Sequence, residues 1–355
     1  MYSFDEDNHC GIPGSQQQRT LQIHPTLRCN LFCKHCYSSS GPNAVNSNLD
    51  TETIRNVITD AHQLGYKVVS FSGGEPLLFN GLVESIAHAK SLGMVTTVTT
   101  NGTITDAEMI YELKAYLDLI AISLDGPPLV HNEIRGSKYA FDNLMVGLDL
   151  IRNAGIRFGF INTLTRTNWE YLLWMAEFAS KEGASLLQIH PLELEGRASF
   201  TMQSESPDDD VLARVYLLIL ALKSRFKDSM KIQYDAASRD YILENPELVY
   251  ASGLEIDLNK VDLADILNFL VVEPDGSVVP IAYGFSKQYE LCNLKNKKLF
   301  DIWPGYLRRG HYRLFRRLCK RVFDEISVPT ELPFFNWYEL LVKRSHEMIE
   351  LTEGK

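Results

Sequence analysis

The sequence predicts an α/β fold built on a parallel β-sheet, and three observations support this class. Short apolar runs rich in β-branched residues alternate along the chain with segments of helical periodicity. Strands separated by helices pair in parallel, because a parallel pair needs a long crossover connection. Polar and cysteine-containing motifs follow several of these runs, and parallel α/β sheets carry their chemistry at the carboxyl ends of their strands.

Each element can be placed from these patterns. The six predicted strands are short, apolar and followed by polar residues or glycine, and they cover 20–25, 67–72, 94–100, 118–123, 156–164 and 186–191. The predicted helices between them cover 50–64, 80–92, 105–115, 140–154 and 168–182. Thr105 with Glu108, and Thr167 with Glu170, have capping-box spacing, which predicts that two of these helices begin there.

The chain beyond the sixth strand is predicted to form an extension. A polar segment at 203–210 precedes an apolar helix at 211–226. Two apolar runs within 267–284 flank a Pro-Asp-Gly turn, which predicts a hairpin. We therefore divide the chain into an N-terminal segment (1–19), a core (20–202) and a C-terminal extension (203–355).

Composition and charge exclude several classes of protein. The 355 residues are 45% apolar and 23% charged, which is typical of a globular chain. The net charge of −10 argues against nucleic-acid binding, which needs a basic face. The start of the chain is acidic and polar, unlike a signal peptide, and no apolar run approaches the roughly 20 residues of a membrane span. We therefore expect a cytoplasmic protein, in which clustered cysteines bind metal rather than form disulfides.

Three cysteines form the most unusual motif of the chain. Cys29, Cys33 and Cys36 have the spacing C-x3-C-x2-C on a loop after the first predicted strand. A structural zinc site has four protein ligands, and four thiolates complete a simple electron-transfer cluster. Three thiolates on a [4Fe–4S] cluster leave one iron free to bind a substrate or cofactor. The alternatives are a zinc site with His35 as its fourth ligand and three unrelated buried cysteines.

This motif resembles the hallmark of the radical S-adenosylmethionine (SAM) superfamily, and SGGEP (72–76) after the second strand is a further match. The resemblance implies a partial (βα)6 TIM-like barrel with a C-terminal α+β extension. It also implies one [4Fe–4S] cluster with SAM on its free iron, and an external electron donor such as flavodoxin or ferredoxin. Cleavage of SAM would give a 5′-deoxyadenosyl radical that abstracts a substrate hydrogen. The alternative of an iron–sulfur electron-transfer protein gives no reason for SGGEP.

The resemblance assigns several residues to SAM. Gly73 and Gly74 would allow the backbone to approach the ligand, and Glu75 would place negative charge near the SAM ammonium. The other implied contacts are Ser123, Asp125 and Arg135 with the ribose and the SAM carboxylate, Asn162 with the ribose, Leu192 with adenine, and the backbone of His35 beside the last cysteine. Asn101 is interpreted as a turn former outside the site. The residue that quenches the product radical is not identified.

The extension resembles the SPASM/twitch region of peptide-modifying radical SAM enzymes. PDGSVVP followed by CNLKNKKLFDIW (292–303) matches its pattern, but Ile281 stands where a ligand cysteine is expected. Cys10, Cys292 and Cys319 are too few for a four-cysteine auxiliary cluster, so we expect a degenerate scaffold. Because auxiliary clusters often accept electrons in related enzymes, the resemblance then favours chemistry that is redox-neutral or ends in fragmentation.

The resemblance also favours a ribosomally synthesised precursor peptide as the substrate. The leading hypothesis is a splicease-like reaction that excises tyramine and leaves an α-keto-β-amino acid. The alternatives are peptide epimerisation, side-chain crosslinking and modification of tetrapyrrole side chains. Some twenty residues precede the first predicted strand, so we expect a separate small RRE-like protein to bind the leader peptide.

A basic stripe in the extension is a candidate docking surface for an acidic leader peptide or for the RRE-like partner protein. It comprises Arg309, Arg313, Arg316, Arg317 and Lys320, which share one side of a predicted helix. The alternative is a solvated helix face opposite a buried apolar side.

Overall fold

The computed structural model describes residues 19–44, 48–250, 262–308, 311–328 and 334–347. The predicted N-terminal segment (1–19) lies outside these ranges except for Arg19, and so do Cys10 and Arg309. In the described part of the chain, no helix is long and apolar enough to cross a bilayer.

The strands form one large sheet and one small one. Their bounds are β1 Thr20–Ile23, β2 Val68–Phe71, β3 Val95–Thr100, β4 Leu119–Ser123, β5 Phe158–Leu164, β6 Leu186–Pro191, β7 Lys231–Tyr234, β8 Ala237–Ser238, β9 Phe269–Val272, β10 Ser277–Pro280, β11 Cys292–Asn293 and β12 Phe334–Phe335. Ten of them pair in the order β11-β10-β9-β1-β2-β3-β4-β5-β6-β7, and β8 pairs with β12. Pairing is parallel from β9 through β1 to β7, which confirms the predicted α/β class.

The helices follow the predicted alternation. Their bounds are α1 Thr51–Gln63, α2 Leu82–Ser91, α3 Ala107–Leu113, α4 Pro128–Arg135, α5 Ala140–Ala154, α6 Leu172–Glu182, α7 Ala198–Thr201, α8 Asp209–Phe226, α9 Arg239–Glu244, α10 Leu263–Ile266, α11 Leu299–Arg308, α12 His311–Ser327 and α13 Trp337–Ser345. Both predicted capping boxes are wrong. Asp106 caps α3 by accepting from the Met109 amide, and Thr167 makes no side-chain cap before the 3-10 turn that precedes α6.

Each strand of the large sheet presents alternate residues to two environments. On one face, apolar side chains pack beneath the helices, as do the fully buried Leu21 and Ile23 of β1. On the other face, Gln22, Ser70 and Thr99 line a cavity of about 570 Å³. Because successive side chains of a strand point to opposite faces, the residues of β1 next to Leu21 and Ile23 turn towards the cavity, as Gln22 does.

The C-terminal extension completes the wall of this cavity. The Pro-Asp-Gly turn joins β9 to β10 in the predicted hairpin, and β9 pairs in parallel with β1. Ile281, Ala282 and Tyr283 follow β10 and line the cavity, as does Tyr338 of α13. The predicted core and extension therefore share one sheet and one cavity.

Candidate functional site

The three predicted metal ligands lie together on the loop after β1. Cys29 and Cys33 are buried, with 8% exposure each, and Cys36 packs against them. All three side chains line the cavity. The loop is fixed to the end of α4, because the Lys34 amide donates to the Ile134 carbonyl at 2.8 Å. Motif spacing and tertiary structure thus place three thiols on one loop of the cavity wall.

Three nitrogen donors point at these sulfur atoms. Arg135 Nη1 lies 3.8 Å from Cys33 Sγ, Asn101 Nδ2 lies 3.8 Å from Cys29 Sγ, and the Ser40 amide nitrogen lies 3.3 Å from Cys36 Sγ. Hydrogen bonds to the sulfurs stabilise their negative charge and tune iron–sulfur clusters. Asn101 is therefore more than the predicted turn former. Its place directly after β3, at the same edge of the sheet as the cysteines, is the sequence signal for this role.

Burial keeps the thiols of Cys29 and Cys33 protonated in the metal-free protein. It raises the pKa of Cys29 to about 12 and raises the pKa of Cys33 above its usual value. Metal binding to such thiols releases their protons. Three neighbouring thiols with N–H donors behind them fit a [4Fe–4S] cluster held by three protein ligands.

The alternative zinc site does not fit this geometry. His35 Nε2 lies 3.0 Å from Asp125 Oδ2, so the ring is bound to a carboxylate. In the described ranges, no group of three or more His, Cys, Asp or Glu side chains is close enough to hold a single metal ion. A four-iron cluster is larger than one ion, and its three ligands need not converge on a single point.

The SGGEP loop packs directly on the cysteine loop. The Gly74 amide donates to the Thr26 carbonyl and the Glu75 amide to the Arg28 carbonyl, both at 2.9 Å. A Cβ atom on Gly74 would lie 2.3 Å from the Arg28 carbonyl oxygen, and Gly73 has a φ of +104°. Both positions therefore require glycine. Gly73 and Gly74 line the cavity beside the cysteines.

The Glu75 carboxylate joins the end of β2 to the end of β3. It is fully buried and accepts hydrogen bonds from the Leu77 amide at 3.1 Å, the Thr100 hydroxyl at 2.7 Å and the Asn101 amide at 2.8 Å. Burial raises the pKa of Glu75, and these hydrogen bonds oppose the rise. The side chain lies behind the cavity wall, and its contact with the SAM ammonium stays a prediction.

Arg135, Ser123 and His35 line the cavity next to the cysteines. Arg135 is the last residue of α4 and forms a buried ion pair with Asp125, with 2.6 Å between Nε and Oδ2. Burial disfavours the charged carboxylate, but the guanidinium outweighs it and holds the pKa of Asp125 well below its usual range. Arg135 is therefore a fixed cation between a carboxylate and the sulfur of Cys33.

Two predicted SAM contacts, Asn162 and Leu192, do not line the cavity, and their contacts with SAM stay predictions. Asn162 lies between the cavity-lining residues Ile161 and Thr163 of β5, so the alternation of the strand turns it to the opposite face. There it is fully buried and donates to the Leu124 carbonyl at 3.2 Å. Leu192 is 2% exposed and packs in a separate small apolar cluster after β6.

An aromatic cluster joins the extension to the cysteine loop. The Tyr283 ring stacks on His24 with 5.0 Å between centroids and meets the Tyr37 ring edge-on at 5.5 Å. The Tyr37 hydroxyl lies 3.4 Å from Ser72 Oγ. Burial lowers the pKa of His24 to about 3, so this ring is neutral. Sequence reasoning missed Tyr283, because a tyrosine after a hairpin carries no distinct signal.

Ile281, which replaces the expected ligand cysteine, lies at a tight turn. Its φ is +68°, and the Ala282 amide donates to the Pro280 carbonyl at 2.8 Å. A β-branched residue rarely adopts this conformation. Cys292 and Cys319 are buried apolar residues, and within the described ranges neither belongs to a group that could hold a metal ion.

The predicted basic stripe lies on α12 apart from Arg309. Arg313, Arg317 and Lys320 are exposed, whereas Arg316 is half-buried with its Nε 3.5 Å from the Tyr250 carbonyl. The described stripe is thus three exposed cations and one that packs against the protein. Its role in docking stays a prediction.

Comparisons with known proteins agree with this site. Residues 23–179 match the family model of the radical SAM superfamily. Fe-coproporphyrin III synthase from Methanosarcina barkeri is 27% identical over 288 residues, which cover 78% of this chain and 71% of that protein. PqqA peptide cyclase from Xanthomonas campestris pv. campestris is 24% identical over 287 residues, which cover 80% of this chain and 73% of that protein.

A solved structure supports the fold. Streptococcus suis SuiB bound to S-adenosylmethionine has a TM-score of 0.63 at 16% identity. The match covers 81% of this chain, which spans 65% of SuiB. Radical SAM proteins use a [4Fe–4S] cluster and SAM, and the cysteine loop has the ligands that such a cluster needs. Residues 23–179 of this chain therefore form a radical SAM domain.

Proposed function

We propose that this protein is a radical SAM enzyme that modifies a ribosomally synthesised peptide, by splicease-like excision of tyramine. Cys29, Cys33 and Cys36 are the proposed ligands of the [4Fe–4S] cluster. When bound, the cluster supplies the electron that cleaves SAM to a 5′-deoxyadenosyl radical. An external donor such as flavodoxin or ferredoxin would reduce it, and a separate RRE-like protein would present the leader peptide.

The residues of this chain hold SAM against the cysteines in the proposal. Gly73, Gly74, Ser123 and Arg135 border the thiols on the cavity wall. The glycines leave room for the ligand, and the Arg135 guanidinium suits a carboxylate. Enclosure in the cavity would keep water and other hydrogen donors from the radical.

The charge of the cavity wall is the observation on which we base the choice of a peptide over a tetrapyrrole as substrate. Among the described lining residues, Arg135 is the single Arg or Lys, and Asp125 neutralises it. At the other end of the wall, Glu193 and Asp235 flank His190. A coproporphyrin has several carboxylate side chains, and buried carboxylates need cationic partners. The cations of this wall, Arg135 and His190, are each already paired with carboxylates of the protein, which favours a peptide.

Relatives support both candidate substrates, and those named for tetrapyrroles include AdoMet-dependent heme synthases as well as Fe-coproporphyrin III synthase. PqqA peptide cyclase is named for a peptide, and SuiB was solved bound to the precursor peptide SuiA. Fe-coproporphyrin III synthase makes tetrapyrrole side-chain modification the second candidate. Ile281 in place of a ligand cysteine favours excision by fragmentation over net oxidation, and epimerisation and crosslinking are the alternatives within the peptide class.

The test begins with the reaction class. We would reconstitute the cluster anaerobically, add SAM and a strong reductant, and quantify 5′-deoxyadenosine. We expect slow formation by the wild type and none by a variant with Cys29, Cys33 and Cys36 changed to alanine. A variant with Cys292→Ala and Cys319→Ala is the matched control, and it should keep both iron and activity. A wild type that binds no cluster would contradict the proposal.

The second step distinguishes the substrates. Fe-coproporphyrin III and a pool of synthetic tyrosine-containing peptides would be added separately, and the products would be analysed by mass spectrometry. Loss of a tyramine unit from a peptide supports the splicease reaction. An epimerised or crosslinked peptide would contradict tyramine excision but support a peptide substrate. Conversion of the porphyrin would contradict both the proposed reaction and the proposed substrate.

A further inference from the structure

The cavity wall at β6 and β7 holds a charged network that the proposed cofactor site does not use. His190 lies in β6, Glu193 on the loop that follows it, and Asp235 directly after β7. All three line the same cavity as the cysteines. Their side chains are 30%, 21% and 8% exposed, so His190 and Glu193 in particular face open space.

Both ring nitrogens of His190 contact carboxylates. Nδ1 lies 3.2 Å from Asp235 Oδ2, and Nε2 lies 3.0 Å from Glu193 Oε1. A neutral imidazole has one nitrogen without a hydrogen, and that nitrogen would face an acceptor, so the ring is an imidazolium. Burial opposes this charge, but the two carboxylates outweigh it and raise the pKa of His190 well above 6.5. The network thus holds two negative charges and one positive charge.

Glu193 is fixed in orientation and keeps one oxygen available. Asn336 caps α13 by accepting from the Tyr338 and Glu339 amides, and its Nδ2 donates to Glu193 Oε1 at 3.2 Å. His190 donates to the same oxygen. From the described residues, no hydrogen bond reaches Glu193 Oε2. A fixed carboxylate oxygen in a cavity wall is a strong acceptor for a ligand N–H group.

The surroundings of Glu193 have an excess of negative charge. Burial and the charge of Glu193 raise the pKa of Glu339 to about 7, although His190 and Lys343 oppose the rise. Burial also raises the pKa of Glu195, and Glu193 contributes to that rise. Burial is the main cause of both rises and the charge of Glu193 adds to it, so further negative charge is disfavoured beside Glu193.

We propose that Glu193 is a specificity-determining residue, whose carboxylate binds a cationic group of the substrate, a primary amine or a guanidinium. His190 and Asn336 are its positioning residues. The inference rests on the proposed function for the peptide, whose lysine, arginine or amino terminus supplies such a group. A network that only ties α13 to the sheet would bind charged and neutral ligands alike.

The test uses the full chain, reconstituted anaerobically with its cluster and SAM but without reductant. The probes are three peptides of sequence Ac-Ala-X-Ala-NH2, in which X is lysine, its uncharged analogue norleucine, or glutamate. Dissociation constants come from ligand-detected NMR. We expect the lysine probe to bind about tenfold more tightly than the norleucine probe, as for a charged hydrogen bond, and the glutamate probe to bind most weakly.

Two variants then assign the preference to Glu193. Glu193→Gln should bring the lysine and norleucine probes to within about twofold of each other, because it removes the charge. Glu112→Gln, an exposed residue of α3, is the matched control and should keep the wild-type preference. Equal binding of the two probes by the wild type, no detectable binding of lysine, or a preference that survives Glu193→Gln would each overturn the inference.

The wild-type comparison needs no variant, so it stands even where a variant folds poorly. Formation of 5′-deoxyadenosine by the wild type, measured after reductant is added, tests the proposed reaction class separately. Its absence would defeat the proposed function and leave the probe preference as an independent result.

Discussion

Arg135 and Asp125 form a buried ion pair directly behind Cys33, with 2.6 Å between Nε and Oδ2. The pair connects the end of β4 to the end of α4, because Asp125 follows β4 and Arg135 is the last residue of α4. Asp125 also contacts the ring of His35 and accepts from the Thr163 amide at 3.3 Å. One carboxylate therefore fixes the cation that reaches the cysteine sulfur.

Asp125→Asn should lower the free energy of unfolding of the metal-free protein by about 3 kcal/mol, because it leaves the Arg135 charge buried without a partner. Urea denaturation measures this loss. Glu133→Gln is the control, since it breaks an ion pair with Lys34 that is exposed, and it should cost less than about 1 kcal/mol. Equal losses of unfolding free energy in the two variants would show that the buried ion pair stabilises the protein no more than the exposed one.

Gly74→Ala should displace the cysteine loop, because the added Cβ would lie 2.3 Å from the Arg28 carbonyl oxygen. We expect a loss of about 2–3 kcal/mol in the free energy of unfolding and less iron per chain after reconstitution. Gly93→Ala is the control: its φ is +77° and no atom lies within 4 Å of the added Cβ. It should cost about 1 kcal/mol and keep full iron content. Full iron content in Gly74→Ala would contradict this view of the loop.

Much of the fold follows from local sequence patterns. The β-branched runs and the helices between them lie within a few residues of their predicted positions, because strand burial and helix amphipathicity are written in the local periodicity. The cysteine loop and SGGEP meet because both follow neighbouring parallel strands, whose carboxyl ends share one edge. Hydrophobic pattern and topology are enough to predict this part of the site.

The side of a strand to which one polar residue points is harder to predict. Asn162 looks like a site residue by type, yet Ile161 and Thr163 take the cavity face of β5. The sequence shows that residues of β5 alternate between two faces. It does not show which set faces the cavity, because β5 has apolar residues on both faces. Because both faces of β5 are buried, no difference between polar and apolar positions tells which face lines the cavity.

Contacts between distant segments were not predictable from motifs. Glu193 and Asn336 meet across 143 positions of the chain, and Tyr283 reaches His24 only because β9 pairs with β1. Neither contact has a local pattern that specifies it. These residues are common types without special spacing, so the tertiary structure alone brings them to the cavity.

His24 should make the metal-free protein sensitive to acid. Burial lowers its pKa from 6.5 to about 3, so the folded state binds this proton less readily than the unfolded state. Its contribution to stability is present above pH 6.5 and is lost as the pH falls towards 3. We expect a loss of about 2 kcal/mol between pH 6.5 and pH 5, measured by urea denaturation.

His24→Gln should reduce that pH dependence, and His131, whose pKa burial also lowers to about 3, should account for a remaining part. His311→Gln changes an exposed histidine of α12 and serves as the control. An unchanged slope in His24→Gln would show that the ring is not held neutral in the folded state.

Glu339 should act in the opposite direction at higher pH. Its pKa is raised from 4.5 to about 7, so the folded state binds this proton more tightly than the unfolded state. The contribution is fully present below pH 4.5 and is lost as the pH rises through 7. The charged groups that face it are Glu193, Glu195, His190 and Lys343.

Glu339→Gln removes the ionisation, so the variant should gain stability relative to the wild type as the pH rises from 5 to 8. Because the side chain is partly exposed, we expect a gain of about 2 kcal/mol, below the full value of the pKa shift. Urea denaturation of the two proteins at several pH values measures it, with Glu112→Gln as the exposed control. A difference that does not change with pH would show that neither burial nor Glu193 raises the pKa of Glu339.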